Sequence, residues 1–433
     1  MPTVQEELAT LREWLQAEKE EGYEQFRNLI ERMPLSERQK KGFSWYPVDI
    51  RKSGYTFGER AYVVLEFAAA LDHPHQFRSG KPVRLFTQQA HVHRPEQNGV
   101  INYVQKGKMK IVLNTKDLPD WLGGGQIGVD LMFDERSYLE MEKALKLVMN
   151  AEKNRLAELR DILLGHRSPQ LAPPHTVNNP ILNQSQNRAL QHILASKDVS
   201  IVHGPPGTGK TTTIVQAIRL LSQQESTLLV CAPSNTAVDL LSERLAAEGL
   251  RVVRVGNISR VDESLIEHTL DAQLAQHPES KNIKKIKIKA AECRRSARRY
   301  RRKFGSEERN AKRELLAEAK ELTAWANQLE ERLINQILDS AQVICCTLVS
   351  STNKVLDRRH FRTLVIDEAA QALEPATWIP ITKASKIILT GDPFQLPPTV
   401  KSIKAQKGGL EITLLEKCIQ RFKKVNLLQV QYR

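Results

Sequence analysis

The stretch VSIVHGPPGTGKTTTIVQAIRLL (199–221) decides the fold of this chain. Its largely apolar beginning, VSIVH, suits a buried strand, and TTTIVQAIRLL has the spacing of a helix. Between them, residues 204–211 match the pattern GxxxxGK[ST] in full. Backbone N–H groups of such a loop, together with the helix N-terminus, surround phosphate oxygens. The stretch therefore predicts a P-loop nucleotide-binding domain.

Two side chains of this loop have predicted roles of their own. Lys210 brings a positive charge to the β- and γ-phosphates of ATP, and the Thr211 hydroxyl is a ligand for Mg²⁺. The predicted cofactors are therefore ATP and Mg²⁺. The predicted ATP-binding residues of the loop are Gly204, Pro205, Pro206, Gly207, Thr208, Gly209, Lys210, Thr211 and Thr212.

Two acidic residues follow a second apolar run. In LVIDEAAQ (364–371), Asp367 is predicted as a Mg²⁺ ligand, and Glu368 as the residue that orients or deprotonates the attacking water. The alternative is that the two acids simply begin a helix, where negative charge is favoured. Because they accompany a P-loop, the catalytic prediction is preferred.

Two glutamines complete the predicted nucleotide site. Gln395 follows the strand-like run KIILT (386–390) and can reach the γ-phosphate or the attacking water. Gln186 lies in LNQSQ (182–186), and its amide can pair with both a donor and an acceptor on adenine. The predicted catalytic residues are Lys210, Asp367, Glu368 and Gln395.

Strand-like and helical segments alternate over residues 181–262 and again after residue 339. This alternation predicts one α/β domain with a parallel sheet covered on both faces. Residues 263–338 interrupt it with a helical pattern in which Leu315, Leu322 and Leu329 recur every seven residues. The insertion is predicted to be an antiparallel helical hairpin with its turn at Gly305-Ser306.

The first arm of this hairpin is strongly basic. In KNIKKIKIKAAECRRSARRYRRK (281–303), Glu292 is the single acid. Such a run is usually a solvated helix face. A block of like charge nevertheless repels itself unless an anion is near. We therefore predict phosphate contact along this arm.

The segments before residue 181 have other patterns. Apolar spacing predicts one helix over residues 3–33. Five short β-type runs between residues 43 and 134 predict a small barrel or sandwich, with a hairpin turn at Lys106-Gly107. They are AYVVLEFA (61–68), VRLFTQQA (83–90), GVINYVQ (99–105), KMKIVLN (108–114) and QIGVDLMF (126–133). The pattern is helical again over 135–164, and 166–180 is predicted to be a linker.

Composition limits the partners and the setting. The 433 residues have a formal net charge of +14, which favours a polyanionic partner, either nucleic acid or a membrane surface. No run of apolar residues predicts a membrane span. Five cysteines without CxxC spacing favour a reducing, cytosolic environment. The histidine pairs HPH (73–75) and HVH (91–93) lack cysteine or carboxylate companions, so they are interpreted as surface residues rather than a metal site.

In this order, the motifs resemble those of the superfamily 1 helicases, in particular the 1B branch of the nonsense-mediated-decay helicase and the immunoglobulin mu-binding helicase. LNQSQ resembles the family's adenine-reading motif, with Gln186 as the reader, and GPPGTGKTTT its phosphate loop. DEAAQALEP (367–375) resembles its Mg²⁺ and base motif, and GDPFQLPPT (391–399) its motif III. Motif Ia, motif Ic and the beginning of the next motif are matched by APSNTAVD (232–239), CCTLVSS (345–351) and VQYR (430–433).

The resemblance implies a RecA-like P-loop NTPase domain with an inserted small β-barrel on a helical stalk and an inserted helical hairpin. It assigns 1–42 to the N-terminal stalk helix, 43–134 to the barrel, 135–165 to a second stalk helix, 166–180 to a linker, 181–262 and 339–433 to the first RecA-like domain, and 263–338 to the insertion. The family's second lobe supplies an arginine finger. Because the chain ends at Arg433, where that lobe would begin, we expect a fragment that binds ATP with little activity alone.

The resemblance also assigns contacts. Tyr432 would stack on the nucleotide base, and Arg433 would touch the γ-phosphate. Motifs Ia, Ic and III would line the path of single-stranded nucleic acid, with contacts from Ser234, Asn235, Thr347, Pro398 and Thr399. The alternative for Ser234 and Asn235 is N-capping of the following helix. Both can hold together, because a capped helix N-terminus also binds phosphate.

The function implied is that of an ATP-dependent helicase or translocase, moving 5′→3′ on single-stranded RNA or DNA, in the cytoplasm or, in a eukaryote, the nucleus. The alternative is a nucleotide-gated clamp that grips nucleic acid without processive unwinding. GDPFQLPP and the terminal QYR argue against a ring-forming P-loop ATPase. Contacts to the backbone leave RNA or DNA open, as they do protein partners and oligomeric state.

Overall fold

The computed structural model describes residues 3–55, 60–67, 74–115, 117–124, 126–173, 177–256, 267–298, 306–422 and 424–432. Within these residues, the predicted architecture of a parallel α/β domain, a small β-barrel and paired inserted helices is confirmed. None of the helices in this part of the chain has the length and apolar character needed to cross a membrane.

Helix α1 (Val4–Phe26) begins the stalk. The Thr3 hydroxyl accepts a hydrogen bond from the Glu6 backbone N–H, and the Glu6 carboxylate accepts one from the Thr3 N–H, which together form a capping box. The predicted N-terminal helix is confirmed as far as Phe26. It then widens into a π-helical turn over Arg27–Glu31, and a separate short helix, α2 (Leu35–Lys40), follows.

Six antiparallel strands form a closed barrel. They are β1 (Ser44–Tyr55), β2 (Ala61–Glu66), β3 (Pro82–Thr87), β4 (Glu96–Gln105), β5 (Lys108–Leu113) and β6 (Ile127–Leu131), in the order β1-β2-β5-β4-β3-β6. Pairing of β6 with β1 closes the ring. Side chains alternate along β2, with Ala61, Val63 and Leu65 inside. The sequence left barrel and sandwich open, and the structure selects the barrel.

Strand β1 has no counterpart among the five predicted runs. It contains Pro47, several charged residues and a register shift between Ile50 and Lys52, and most of its side chains are at least partly exposed. These features hide the alternation that marks a strand. The predicted turn at Lys106-Gly107 is confirmed, with positive φ values of 46° and 73° that suit a tight hairpin.

The helical segment after the barrel is divided, contrary to the prediction of continuous helix over 135–164. Helix α3 (Glu135–Met149) ends, and α4 (Arg155–Leu163) begins after Asn154, whose side chain accepts a hydrogen bond from the Ala157 N–H. Lys153, with a φ of 51°, makes the break. A capping side chain at Asn154 thus starts a new helix within an otherwise helical pattern.

The α/β domain and its insertion contain the remaining elements. The helices are α5 (Gln184–Ala195), α6 (Lys210–Leu221), α7 (Asn235–Ala247), α8 (Leu270–Gln276), α9 (Ser280–Arg298), α10 (Ser306–Ser340), α11 (Glu374–Ile381), α12 (Ile403–Gly408) and α13 (Leu414–Arg421). The strands are β7 (Val199–His203), β8 (Leu228–Ala232), β9 (Val252–Arg254), β10 (Val343–Thr347), β11 (Phe361–Ile366), β12 (Ala384–Gly391) and β13 (Asn426–Leu427).

These seven strands form one parallel sheet in the order β13-β7-β12-β11-β8-β10-β9. Two separate apolar clusters cover its faces: Ile201 belongs to one and its neighbour Val202 to the other. Burial on both faces explains why the central strands are continuous apolar runs. All strands are parallel, so their carboxyl ends lie along one edge.

The insertion contains a pair of antiparallel helices, α9 and α10. Lys287 is paired with Glu330 at 2.8 Å, and Lys289 with Glu318 at 3.1 Å. Part of the basic charge of α9 is therefore neutralised within the hairpin. The predicted turn at Gly305-Ser306 begins among residues outside the described part of the chain.

The stalk is attached to the α/β domain by buried charge. The Glu18 carboxylate of α1 accepts hydrogen bonds from the backbone N–H groups of Lys401 and Ser402, at the start of α12. Elsewhere on α1, Glu7 is bonded to Arg421 of α13 at 2.6 Å. These contacts place the stalk directly beside the loop that follows β12.

Candidate nucleotide and nucleic-acid site

The P-loop connects β7 to α6 at the carboxyl edge of the sheet. Gly207 and Gly209 have φ values of 78° and 77°, in the left-handed region that glycine tolerates. A Cβ on Gly209 would lie 2.4 Å from Nε2 of Gln186, so glycine is required there for space as well. The loop is thus held in a conformation that turns directly into the N-terminus of a helix.

Lys210 is the first residue of α6 and is buried, with 8% of its surface exposed. Its Nζ donates hydrogen bonds to the carbonyl oxygens of Gly204, at 2.7 Å, and Pro205, at 3.1 Å. Thr208 Oγ1 also donates to the Pro205 carbonyl. The ammonium group therefore lies inside the loop, and its predicted contact with phosphate requires an exchange of these carbonyl contacts.

Asp367 and Glu368 follow β11, at the same edge. Burial raises the pKa of Asp367 to about 6, and the neighbouring Glu368 carboxylate acts in the same direction, while Lys210 lowers it. The Asp367 carboxylate accepts a hydrogen bond from the Glu368 N–H at 3.0 Å. Glu368 has a φ of 53° and precedes a short 3₁₀ turn, Ala369–Gln371, rather than an α-helix. The alternative that these acids only begin a helix is thereby weakened.

Gln395 lies in the loop after β12, between the strands of the P-loop and of Asp367. Its Nε2 donates to Asp392 Oδ2 at 3.3 Å, and Asp392 Oδ1 accepts from the Phe394 N–H. Buried His203, at the end of β7, is close to both Asp392 and Lys210: burial lowers its pKa, and the Asp392 charge opposes this. Neither His203, which directly precedes the P-loop, nor Asp392, which lies within GDPFQLPPT (391–399), was among the predicted site residues.

Gln186 is buried behind the P-loop, with 3% exposure. Its Oε1 accepts from the Asn183 N–H at 2.9 Å, and its Nε2 donates to the Thr208 carbonyl at 3.1 Å. Both ends of the amide therefore hold the protein's own backbone. A role in reading adenine stays a prediction, and it requires Gln186 to exchange one of these bonds.

The terminal segment lies across the P-loop. The Tyr432 N–H donates to the Gly207 carbonyl at 2.8 Å, and the Tyr432 hydroxyl accepts from Asn183 Nδ2 at 2.9 Å. The tyrosine is 54% exposed, which leaves part of its ring available. Arg433 lies outside the described residues. Asn183, which was not among the predicted site residues, lies within LNQSQ and connects that segment to Tyr432.

The residues predicted to contact nucleic acid lie at or beyond the ends of β8, β10 and β12. Ser234 caps α7, its Oγ accepting from the Ala237 N–H. Asn235 is the first residue of that helix, and Thr347, whose Oγ1 donates to Ser350 Oγ at 2.7 Å, ends the adjacent strand β10. Pro398 and Thr399 lie in the loop between β12 and α12. The structure thus places Ser234, Asn235 and Thr347 at the carboxyl ends of the neighbouring strands β8 and β10, and Pro398 and Thr399 farther along the loop after β12. Both proposed roles of Ser234 are compatible with its geometry.

The fold and this edge define a P-loop nucleotide-binding protein with a RecA-like domain. A protein family described as "AAA domain" matches residues 181–403, more than half of the chain. The chain belongs to this family and, within it, to the superfamily 1B helicases of the nonsense-mediated-decay and immunoglobulin mu-binding branch.

Three relatives illustrate the likeness. The DNA-binding protein SMUBP-2 of Mesocricetus auratus is 38% identical over 69% of this chain and 30% of its own length. The ATP-dependent helicase NAM7 of Saccharomyces cerevisiae is 35% identical over 69% of the chain and 29% of its length. The DNA polymerase alpha-associated DNA helicase A of Schizosaccharomyces pombe is 28% identical over 86% and 58%. The chain therefore spans about a third to just over half the length of these relatives.

Proposed function

We propose that the chain binds ATP·Mg²⁺ and uses its hydrolysis to move 5′→3′ along single-stranded RNA or DNA. One observation carries this proposal: neighbouring strands β7, β12 and β11 deliver Lys210, Gln395 and the Asp367-Glu368 pair to a single edge. Open α/β sheets bind their ligands at the carboxyl ends of the strands. Membership of a helicase family supports both the proposed motor activity and, as part of the proposal, the 5′→3′ polarity of movement.

Lys210 and the backbone N–H groups of the P-loop would hold the phosphates. The side chains at this site fit Mg²⁺, because the Asp367 carboxylate and the Thr211 hydroxyl provide the hard oxygen ligands that this ion prefers. Mg²⁺ bound there would neutralise charge on the phosphate oxygens. Asp367 must be ionised for this role, so its raised pKa predicts weaker metal binding below about pH 6.

Glu368 would orient or deprotonate the attacking water, and Gln395 would contact that water or the γ-phosphate. Tyr432 would stack on the base from its position beside Asn183. Ser234, Asn235, Thr347, Pro398 and Thr399 would hold the backbone of the single strand, since short polar side chains and helix N-termini make contacts that are blind to sequence.

The test is steady-state ATP hydrolysis by the full chain, with and without single-stranded RNA and DNA. ATP binding with only slow turnover is expected of the chain alone; this turnover should be stimulated by a nucleic acid and lost in Lys210→Ala and Glu368→Gln. The matched control is Lys197→Ala, which removes an exposed lysine just before β7, at the opposite end of that strand. Streptavidin displacement from the 3′ or the 5′ end of an oligonucleotide then gives the direction of movement.

Three results would contradict the proposal. Failure to bind ATP excludes the nucleotide site. ATP-dependent oligonucleotide binding without turnover or displacement identifies the nucleotide-gated clamp instead. Displacement only from the 5′ end reverses the proposed polarity.

A further inference from the structure

We propose that Arg254 is a positioning residue for nucleic-acid binding, which holds the Asn235 side chain so that its amide donates to the backbone of the strand. This inference rests on the proposed function, in particular on the nucleic-acid contact assigned to Asn235. Nothing in the sequence pattern RVVRVG (251–256) marks its second arginine, Arg254, as functional.

Arg254 ends the edge strand β9 and is almost fully buried, with 2% exposure. Each of the three guanidinium nitrogens donates a hydrogen bond. Nε donates to Asp239 Oδ1 at 3.0 Å, Nη1 to the Val255 carbonyl at 2.7 Å, and Nη2 to Asn235 Oδ1 at 2.8 Å. A buried charge needs hydrogen-bond partners of this kind. Two of the three acceptors belong to α7, which begins within motif Ia.

The guanidinium fixes which way the Asn235 amide faces. An arginine side chain has only donors, so it can be met only by the carbonyl oxygen of an amide. Asn235 Nδ2 is consequently turned away from Arg254 as a donor. It lies in the first turn of α7, beside the Ser234 cap, where the helix N-terminus favours anionic oxygen atoms.

Asp239 and Asn235 are four residues apart on α7 and therefore share one face of the helix. Arg254 bonds both, which fixes the rotation of the first turn as well as the amide. Gly256 leaves the necessary room: it has a φ of 150°, and a Cβ there would lie 2.6 Å from Arg254 Nη1. The surroundings are thus built for this guanidinium.

A purely structural ion pair between Arg254 and Asp239 is the competing explanation, and a double-mutant cycle separates the two. Binding of a fluorescein-labelled single-stranded oligonucleotide is measured by anisotropy for Arg254→Lys, Asn235→Ala and the double variant. Lysine keeps the charge opposite Asp239, but its single nitrogen does not reproduce the planar guanidinium whose three separated nitrogens reach these three acceptors. Each single change should weaken binding by roughly three- to tenfold, as expected for one hydrogen bond.

The double variant should bind no more weakly than Asn235→Ala, because Arg254 acts only through that side chain. The dependence of affinity on salt should stay unchanged in all three variants, since Asn235 is neutral and Arg254 does not touch phosphate. Binding of mant-ADP, a fluorescent nucleotide, should also be unchanged, which confirms that the variants are folded.

Because Arg254→Lys can fail to fold, a second variant supports the test. Replacing the buried pair by apolar residues, Arg254→Met with Asp239→Leu, is often neutral for stability. It leaves Asn235 without its partner and should weaken oligonucleotide binding as much as Arg254→Lys.

The outcomes are distinguishable. Additive losses in the double variant, or a reduced salt dependence, would overturn the positioning role. So would normal binding by the Arg254→Met/Asp239→Leu protein. If Asn235→Ala and Ser234→Ala both bind normally, the nucleic-acid surface proposed at α7 is wrong, and the inference fails with it.

Discussion

The two β-structures of this chain bury apolar side chains by different means, and within the described residues the predicted nucleotide site lies at the sheet and not at the barrel. In the barrel, strands alternate between inward and outward side chains and run in both directions. In the seven-stranded sheet, the strands are buried on both faces and run in one direction. Parallel strands end together, so their loops meet at one edge. The antiparallel barrel divides its turns between two ends.

Buried charge shows the same contrast. In the barrel, Asp130 is paired with Arg38 at 2.6 Å and with Arg84 at 3.4 Å, so its charge serves the packing of β6 against neighbouring elements. In the sheet, Asp367 is equally buried, and burial has raised its pKa to about 6. A buried acid whose partners do not fully compensate for its lost hydration keeps a raised pKa, and such groups are typical of functional sites.

The largest expected effects come from matched deletions in the two cores. Ile111→Ala in the barrel and Leu389→Ala in the sheet each remove a fully buried side chain and should lower the free energy of unfolding by about 2–5 kcal/mol. Urea unfolding by circular dichroism measures both. Under folding conditions, Ile111→Ala should bind mant-ADP normally. A weakened affinity there would show that the barrel and the nucleotide site are not independent.

Replacing one lysine in the sheet domain and one in the barrel by alanine compares the contributions of the two regions to ATP affinity. Lys210→Ala should reduce ATP affinity by roughly a hundredfold, because charge-assisted hydrogen bonds to phosphate are lost. Lys110→Ala in the barrel removes a lysine that lies 4.5 Å from the ring centroid of Tyr62, and it should leave ATP affinity unchanged. Titration calorimetry compares the two. Equal affinities for the Lys210→Ala and Lys110→Ala proteins would exclude the predicted phosphate contact.

The two buried aspartates should respond to neutralisation with opposite signs. Asp367 has a folded pKa above its unfolded value, so its ionisation destabilises the fold above about pH 6, and this cost declines as pH falls towards 4. Asp367→Asn should therefore raise the free energy of unfolding by roughly 1–3 kcal/mol at pH 8 and by less at pH 5. The same change should abolish Mg²⁺-dependent nucleotide binding. Asp130→Asn should lose about 1–3 kcal/mol, because both arginines keep their charge. Urea unfolding at both pH values checks the signs; a loss of stability in Asp367→Asn at pH 8 would contradict this account.

The smallest effect is expected where the stalk meets the sheet domain. Glu18→Gln keeps one acceptor for the N–H groups of Lys401 and Ser402 but removes the charge, so it should cost about 1 kcal/mol. Glu13→Gln, at an exposed site on the same helix, should cost nothing measurable. Hydrogen exchange should be faster over residues 395–402 in Glu18→Gln alone. Unchanged exchange would mean that Glu18 does not hold this loop.

Local pattern in the sequence determined much of the result. The P-loop, the acids of DEAA, the strand–helix alternation and the turn at Lys106-Gly107 depend on short-range geometry, which residues close in sequence express directly. Dependence on local pattern also explains why the prediction missed strand β1 and the break before α4. Their signals, a mixed polar strand and a capping asparagine, are weak beside the surrounding periodicity.

Tertiary structure alone decided which residues meet. The order β7-β12-β11 brings Lys210 beside acids more than 150 residues away, and no local pattern encodes the order of strands in a sheet. The same applies to three further contacts between distant residues. The Gln186 amide donates to the Thr208 carbonyl, the Glu18 carboxylate accepts from the backbone of the loop after β12, and the Arg254 guanidinium donates to Asn235. Each is a side-chain hydrogen bond between separate elements, and its partner exists only after the chain has folded.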